Sequence, residues 1–213
     1  MSRSLRLSLI LVGLAVLALV VAVVVTRPQS SPSSDSGAGE QGELVRPDSP
    51  RLTEGSEVQL VEFLDFECES CGAIYPYTED LKARYGDRFE FVVRYMPLHV
   101  SSVNAALAAE AAGAQGSYEE MYDVLFERQA QWGHQQTAQR EVFFDYAEEL
   151  GLDMTRFEAD FDDPAALARI ERDRADGQAV GVTGTPTFFL DGEQLPIDSV
   201  DDLESALIEA LDG

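Results

Sequence analysis

Hydrophobic positions keep a different period in each stretch of this chain. From Leu7 to Val25 they run almost unbroken, interrupted only by Ser8 and Gly13 and flanked by Arg3, Arg6 and Arg27. About 20 apolar residues cross a bilayer as a helix, so residues 1–27 are predicted to form one N-terminal transmembrane anchor. From Pro28 to Gly55 the pattern gives way to Ser, Pro, Gly and scattered charge, which predicts a flexible tether over 28–55. Val58 to Phe66 is nearly continuously apolar with Glu62 and Asp65 as its charged breaks, the signature of a central strand covered on both faces. A helical stretch through Ile74, Tyr77 and Leu81 follows, with Pro76 expected to kink it. Arg88 to Tyr95 reads as a second strand, and a strand-helix-strand crossover of this length implies parallel pairing and a right-handed connection.

Residues 101 to about 178 then turn helical in period. Val103, Leu107 and Ala111 make one stripe, Met121, Leu125 and Phe126 another, Val142, Tyr146 and Leu150 a third, and Leu167 and Ile170 a fourth. We read these apolar side chains as core. Thr187 to Leu190 is a third strand, Asp191-Gly192 a hairpin turn and Gln194 to Ile197 the returning strand. Val200, Leu203, Leu207 and Leu211 form a closing amphipathic helix. The prediction is an α/β domain over residues 56–213 with a helical insert at about 101–178.

Composition adds a direction to this layout. The net charge is −24, and cutting the chain at residue 55 leaves basic and acidic residues balanced before the cut, so the excess belongs to the domain. Such a surface repels phosphates and disfavours nucleic-acid binding. The basic flank before Leu7 predicts an N-terminus inside and the domain on the extracytoplasmic side of the cytoplasmic membrane. A cleaved secretory signal would have an apolar region of about 7 to 15 residues and an A-x-A-like site; Val23-Val24-Val25-Thr26-Arg27-Pro28 has no such site. Cleavage would instead release a secreted domain.

The candidate chemistry sits where the first strand meets its helix. Cys68 and Cys71 are the only cysteines, in the order Cys68-Glu69-Ser70-Cys71. A pair two residues apart cannot staple distant parts of a fold. At a helix N-terminus, free N–H groups and the positive dipole end favour a thiolate at Cys68, and Cys71, one turn on, can close the bond. Half of a zinc site would need two more ligands, for which the chain offers His99, His134 and carboxylates; two inert buried cysteines are the other plain alternative. His99 and His134 are expected in connecting loops, solvent-exposed and without chemistry. Glu62, six residues before Cys68, is either a buried acid with a raised pKa passing protons to and from Cys71, or a surface residue on an edge strand. Pro186, after Thr185 at the mouth of a strand, is a candidate cis peptide.

The order β-α-β, helical insert, β-β-α, with the cysteines at the first strand-helix junction and Gly184-Thr185-Pro186-Thr187 before the third strand, resembles the thioredoxin fold in its DsbA-like branch. Arg94-Tyr95-Met96-Pro97-Leu98-His99 and the run from Ala108 to Gln129 match the same style, so the resemblance covers about residues 56–213. It implies a thiol-disulfide oxidoreductase acting on exported cysteine-containing proteins and recycled by a membrane redox partner, without cofactor or metal. By position, Cys68 becomes the attacking cysteine, Cys71 the resolving one and Glu62 the buried acid below them. Pro186 becomes the family's cis-proline, and the Thr185 backbone the hold on an extended substrate peptide. The departure lies between the cysteines, where strong oxidants of the family carry a histidine and this chain has Glu69-Ser70. A helix end contributes about 0.3 to 1 kcal/mol toward the thiolate, whereas Glu67 and Glu69 each oppose it by about 1 kcal/mol in water. The sum predicts a poorly stabilised thiolate. A soft-metal carrier and a redox-sensing binding module are the alternatives in other functional classes.

Overall fold

The computed structural model describes residues 42–213. The predicted anchor over 1–27 and most of the tether lie outside the described residues; among the described residues no helix is long and apolar enough to cross a membrane. Strands β1 (Arg51–Glu54), β2 (Val58–Leu64), β3 (Phe89–Tyr95), β4 (Thr187–Leu190) and β5 (Glu193–Leu195) form one sheet in the order β1-β3-β2-β4-β5. The β2 and β3 strands pair in parallel across helix α1 (Glu69–Tyr85), and the remaining pairs are antiparallel. The insert comprises α2 (Ser102–Gly113), α3 (Tyr118–Glu127), α4 (Gln129–Trp132), α5 (Arg140–Glu149), α6 (Met154–Phe161) and α7 (Pro164–Ala179), and α8 (Val200–Asp212) closes the chain.

The continuous apolar run of β2 is explained by its central place, with β3 on one side, β4 on the other and a packed layer over each face. Alternate residues divide between the layers, because a strand points successive side chains to opposite faces. Leu60 and Leu64 join Phe89, Phe91, Val93 and Tyr95 in the larger core, built with α1, the insert and α8. Val61 and Phe63 join Val92, Met96, Val182 and Phe189 in the smaller one. There α7 approaches closely through Gly177, where a Cβ would lie 2.9 Å from two ring carbons of Phe63.

Local signals in the sequence set the element ends. Asp153 accepts hydrogen bonds from the N–H groups of Thr155 and Arg156 at the start of α6, and Asp163 does the same for Ala165 at the start of α7, with Pro164 in its first turn. Asp191 and Gly192 both take positive φ, 48° and 88°, as a two-residue hairpin turn requires. Helix α1 runs continuously through Pro76.

Two expectations are corrected. The tether does not extend to residue 55, because Arg51–Glu54 is an edge strand paired with β3. Only Leu52 of that strand is buried, so its alternation is too short to stand out from the polar stretch before it. The returning strand β5 is also displaced, at Glu193–Leu195 instead of 194–197.

The segment before β1 is tied to the smaller-core face by charge. Arg94, fully buried on β3, donates to the carboxylates of Asp173 and Asp176 on α7, at 3.0 and 2.5 Å, and to the carbonyls of Glu43 and Leu44, both at 2.6 Å. Arg46 adds two hydrogen bonds to Asp176 at 2.6 and 2.8 Å. A buried ion set of this kind persists only when its charges are mutually satisfied.

Candidate active site

The chain leaves β2 at Leu64, turns through Asp65–Glu67 and enters α1, with Cys68 as its N-cap residue. The Asp65 carbonyl accepts from the Cys68 N–H at 3.0 Å and its carboxylate from the Glu67 N–H at 2.8 Å, which fixes the turn. Both cysteines are free thiols, Cys68 half-buried and Cys71 buried one turn further into the helix. From across the site, the Thr185 carbonyl lies 3.3 Å from Cys68 Sγ, and the Thr185–Pro186 peptide bond is cis. Beside these residues runs an open groove of about 420 Å³, lined by Ser70, Ala73, Ile74, Thr185, Pro186, Phe188 and the 197–200 segment.

The two thiols are driven apart in acidity. Cys68 is lowered to about 5: the hydrogen bond from the Cys71 thiol is the largest cause, partial burial opposes it, and Thr185 and the first N–H groups of the helix add to the lowering. Cys71 is raised above the ordinary thiol range by burial, then by its bond to Cys68 and the nearby Glu62 carboxyl. Glu62 faces the larger core from β2, opposite Val93 and Phe188. It is almost wholly buried, its Oε2 has no hydrogen-bond partner, and burial, followed by the charge of Cys68, pushes it up to about 8. This pairing of a poised nucleophile, a protected second thiol and a proton-holding acid can carry thiolate attack and disulfide closure.

Repulsion from Glu67 and Glu69 does not govern Cys68, contrary to the expectation from sequence. Glu67 is turned inward and buried, its two carboxylate oxygens accepting from the Ser101 N–H at 2.6 Å and the His134 N–H at 2.8 Å. Glu69 is exposed and lies 3.4 Å from Nε2 of His134.

A thioredoxin family model matches residues 53–210, most of the chain. The chain belongs to the thioredoxin family. It is 29% identical to a thioredoxin-like oxidoreductase from Silicibacter pomeroyi, with a TM-score of 0.66 over 79% of this chain and 95% of that one. BdbD from Bacillus subtilis shares the fold at 22% identity and a TM-score of 0.68, covering 81% of this chain and 98% of that one. The solved structures of similar fold include alpha-DsbA1 from Wolbachia pipientis, at 17% identity and a TM-score of 0.69 over 79% of this chain and 93% of that one, and the fold is the thioredoxin fold with a helical insertion. Among curated relatives, the Na(+)/H(+) antiporter NhaA of Herminiimonas arsenicoxydans is 43% identical over 148 residues, 70% of this chain. The chain spans only about a quarter of the length of such relatives, 23% in that case.

The thioredoxin-family site contains residues that sequence reading passed over. Gln129, on the short α4, donates through one side-chain amide to the carbonyls of Phe66 and Cys68, at 2.7 and 2.9 Å. Gly72 makes room for it, since a Cβ there would meet its Oε1 at 2.3 Å. His99 and His134 lie in loops and are exposed, as expected, but their rings meet edge to face at 5.8 Å, and His99 Nδ1 lies 2.7 Å from Asp65 Oδ2. Nothing in the linear spacing of residues 65, 99 and 134 signals that meeting. No group of three metal-ligating side chains occurs among the described residues.

Proposed function

We propose that this thioredoxin-family protein is a thiol-disulfide oxidoreductase in which Cys68 attacks, Cys71 resolves and Glu62 manages the proton. The observation that carries the reading is the split acidity of the pair, Cys68 lowered to about 5 and Cys71 raised, above a buried acid at about 8. Near neutral pH the Cys68 thiolate attacks one sulfur of a substrate disulfide, forming a mixed disulfide and expelling the other sulfur as a thiolate. Capping Cys68 in the mixed disulfide removes the charge that helps hold the Glu62 proton; in its carboxylate form Glu62 takes the proton of Cys71, which attacks Cys68 Sγ and releases the second substrate thiolate. The products are a reduced substrate and a Cys68–Cys71 disulfide; the reverse sequence oxidises a dithiol substrate. The Thr185 backbone, its carbonyl 3.3 Å from Cys68, holds the substrate peptide in an extended, strand-like pairing beside the groove.

The substrates in this reading are exported cysteine-containing proteins, and a membrane redox partner resets the couple. The site itself sits on a domain held at the extracytoplasmic face of the cytoplasmic membrane by the segment over 1–27, where disulfide chemistry persists. Trapping tests the chemistry. Cys71→Ser should accumulate mixed disulfides with client proteins, resolvable on non-reducing gels, and Cys68→Ser should accumulate none. Equal trapping by both variants, or by neither, would contradict the assignment.

A further inference from the structure

The family histidine is absent between these cysteines, yet the fold delivers two imidazoles to the same corner from elsewhere in the chain. His99 follows β3 and packs against the turn that leads into Cys68. Its Nδ1 is hydrogen-bonded to Asp65 Oδ2, and its own N–H donates to Ser102 Oγ at 3.0 Å. Asp65, buried, also accepts from the N–H of Leu98 at 2.7 Å and of Glu67 at 2.8 Å, so it cannot swing away from the ring. His134 closes the group from the loop after α4. It holds a left-handed φ of 56°, uncommon for a residue with a side chain. Its N–H is fixed by buried Glu67, its ring meets that of His99, and its Nε2 faces Glu69. The charged and titratable groups around His99 are therefore Asp65, Glu67, Cys68 and His134, with Glu69 beyond His134.

We propose that His99, held by Asp65 and flanked by His134, is the positioning residue whose imidazolium steadies the Cys68 thiolate, replacing from a distant loop the histidine missing between the cysteines. The inference rests on the oxidoreductase reading above. The pKa of His99 is consistent with the geometry: partial burial lowers it, but the Asp65 hydrogen bond and charge, with Cys68 and Glu67, leave it above 6.5. Its positive charge is present below that raised value and is lost as pH rises through it. Coupling between two charges is reciprocal. The thiolate must then hold the proton on His99, and forming the disulfide must loosen it. Written out, the reduced pair (one thiolate, one thiol) and oxidised glutathione give the Cys68–Cys71 disulfide, one glutathione thiolate and one glutathione thiol, and His99 loses its extra hold on a proton.

The test is an NMR titration of the His99 imidazole in the wild-type protein, reduced and oxidised, beside ultraviolet thiolate titrations of wild type, His99→Gln and His99→Arg. We expect the proton affinity of His99 to fall roughly three- to tenfold on oxidation, the order expected when one partially screened charge near a surface is removed. His99→Gln should weaken the Cys68 thiolate by the same factor and shift the glutathione equilibrium with it, about 30 mV for tenfold. His99→Arg, a fixed cation, should restore the low Cys68 midpoint and abolish the bend in potential near neutral pH. An unchanged His99 midpoint between redox states overturns the proposal, and this comparison needs no variant to fold. So does a His99→Gln protein that keeps both the wild-type Cys68 midpoint and exchange with glutathione. Failure of the wild-type protein to exchange with glutathione would overturn the oxidoreductase reading itself.

Discussion

The central sheet buries charge on both faces, and the two faces treat it oppositely. On β3, Arg94 faces the smaller core and has two carboxylates and two carbonyls around it. One strand over on β2, Glu62 faces the larger core, and its Oε2 has no partner. Burial is near complete for both. Only the satisfied charge works as a fastener, joining α7 and the segment before β1 to the sheet. The unsatisfied acid remains protonated into the physiological range and, once ionised, raises the pKa of the buried Cys71 thiol. A buried ionisable group thus serves stability when its partners are supplied and proton transfer when they are withheld.

The largest expected effect is a pH dependence of stability running in opposite senses on the two faces. Unfolded, Glu62 releases its proton near its ordinary 4.5; folded, it keeps it to about 8. Between these values the native state binds more protons, so stability falls as pH rises, by about 4 to 5 kcal/mol in total. Asp176 runs the other way. Burial would raise its carboxyl, but Arg46 and Arg94 hold it below 3.8, so its contribution is present above the unfolded value and is lost on acidification through the folded one. Urea unfolding from pH 4.5 to 8 should show the first slope in the wild type and a flatter one in Glu62→Gln. Identical slopes would mean that Glu62 is not held protonated.

Next in size is Arg94→Met, which strands Asp173 and Asp176 without their buried cation. We expect a loss of about 3 to 5 kcal/mol, with the Cys68 thiolate midpoint of the folded protein unmoved. A shift in that midpoint would show that the two faces are coupled through the sheet. The smallest expected effect is kinetic. With a residue that cannot take a proton, Glu62→Gln should slow resolution of a preformed mixed disulfide by about 100-fold, leaving the first attack by Cys68 near its wild-type rate. Quenched-flow measurement of the two steps separates them; equal slowing of both would point to a general disturbance of the site.

The element order β-α-β, helical insert, β-β-α was legible in the sequence because it rests on local periods and turns, and Cys68, Cys71 and Pro186 stood out as candidates through a spacing and a dipeptide. What was not legible is what distant segments do to that site. Glu67, next to Cys68 in the chain, reads as a repelling charge, but in the fold it turns inward to hold the Ser101 and His134 N–H groups. His99 and His134 lie 35 positions apart in the numbering and read as exposed loop residues without chemistry, yet their rings meet edge to face. Gln129 has no role in the linear reading beyond closing the run from Ala108, yet its side-chain amide donates to two carbonyls of the cysteine turn. Edge strand β1 is indistinguishable from the tether in the sequence because a four-residue strand with one buried side chain has almost no period to detect.

The most direct test of the account is competitive alkylation of the reduced protein, followed by peptide mapping, across pH 4 to 9. Labelling at Cys68 alone, with a rate that rises through a midpoint near 5, is the expected result. Cys71 labelled first, or a Cys68 midpoint close to the 8.5 of a free cysteine, would contradict it.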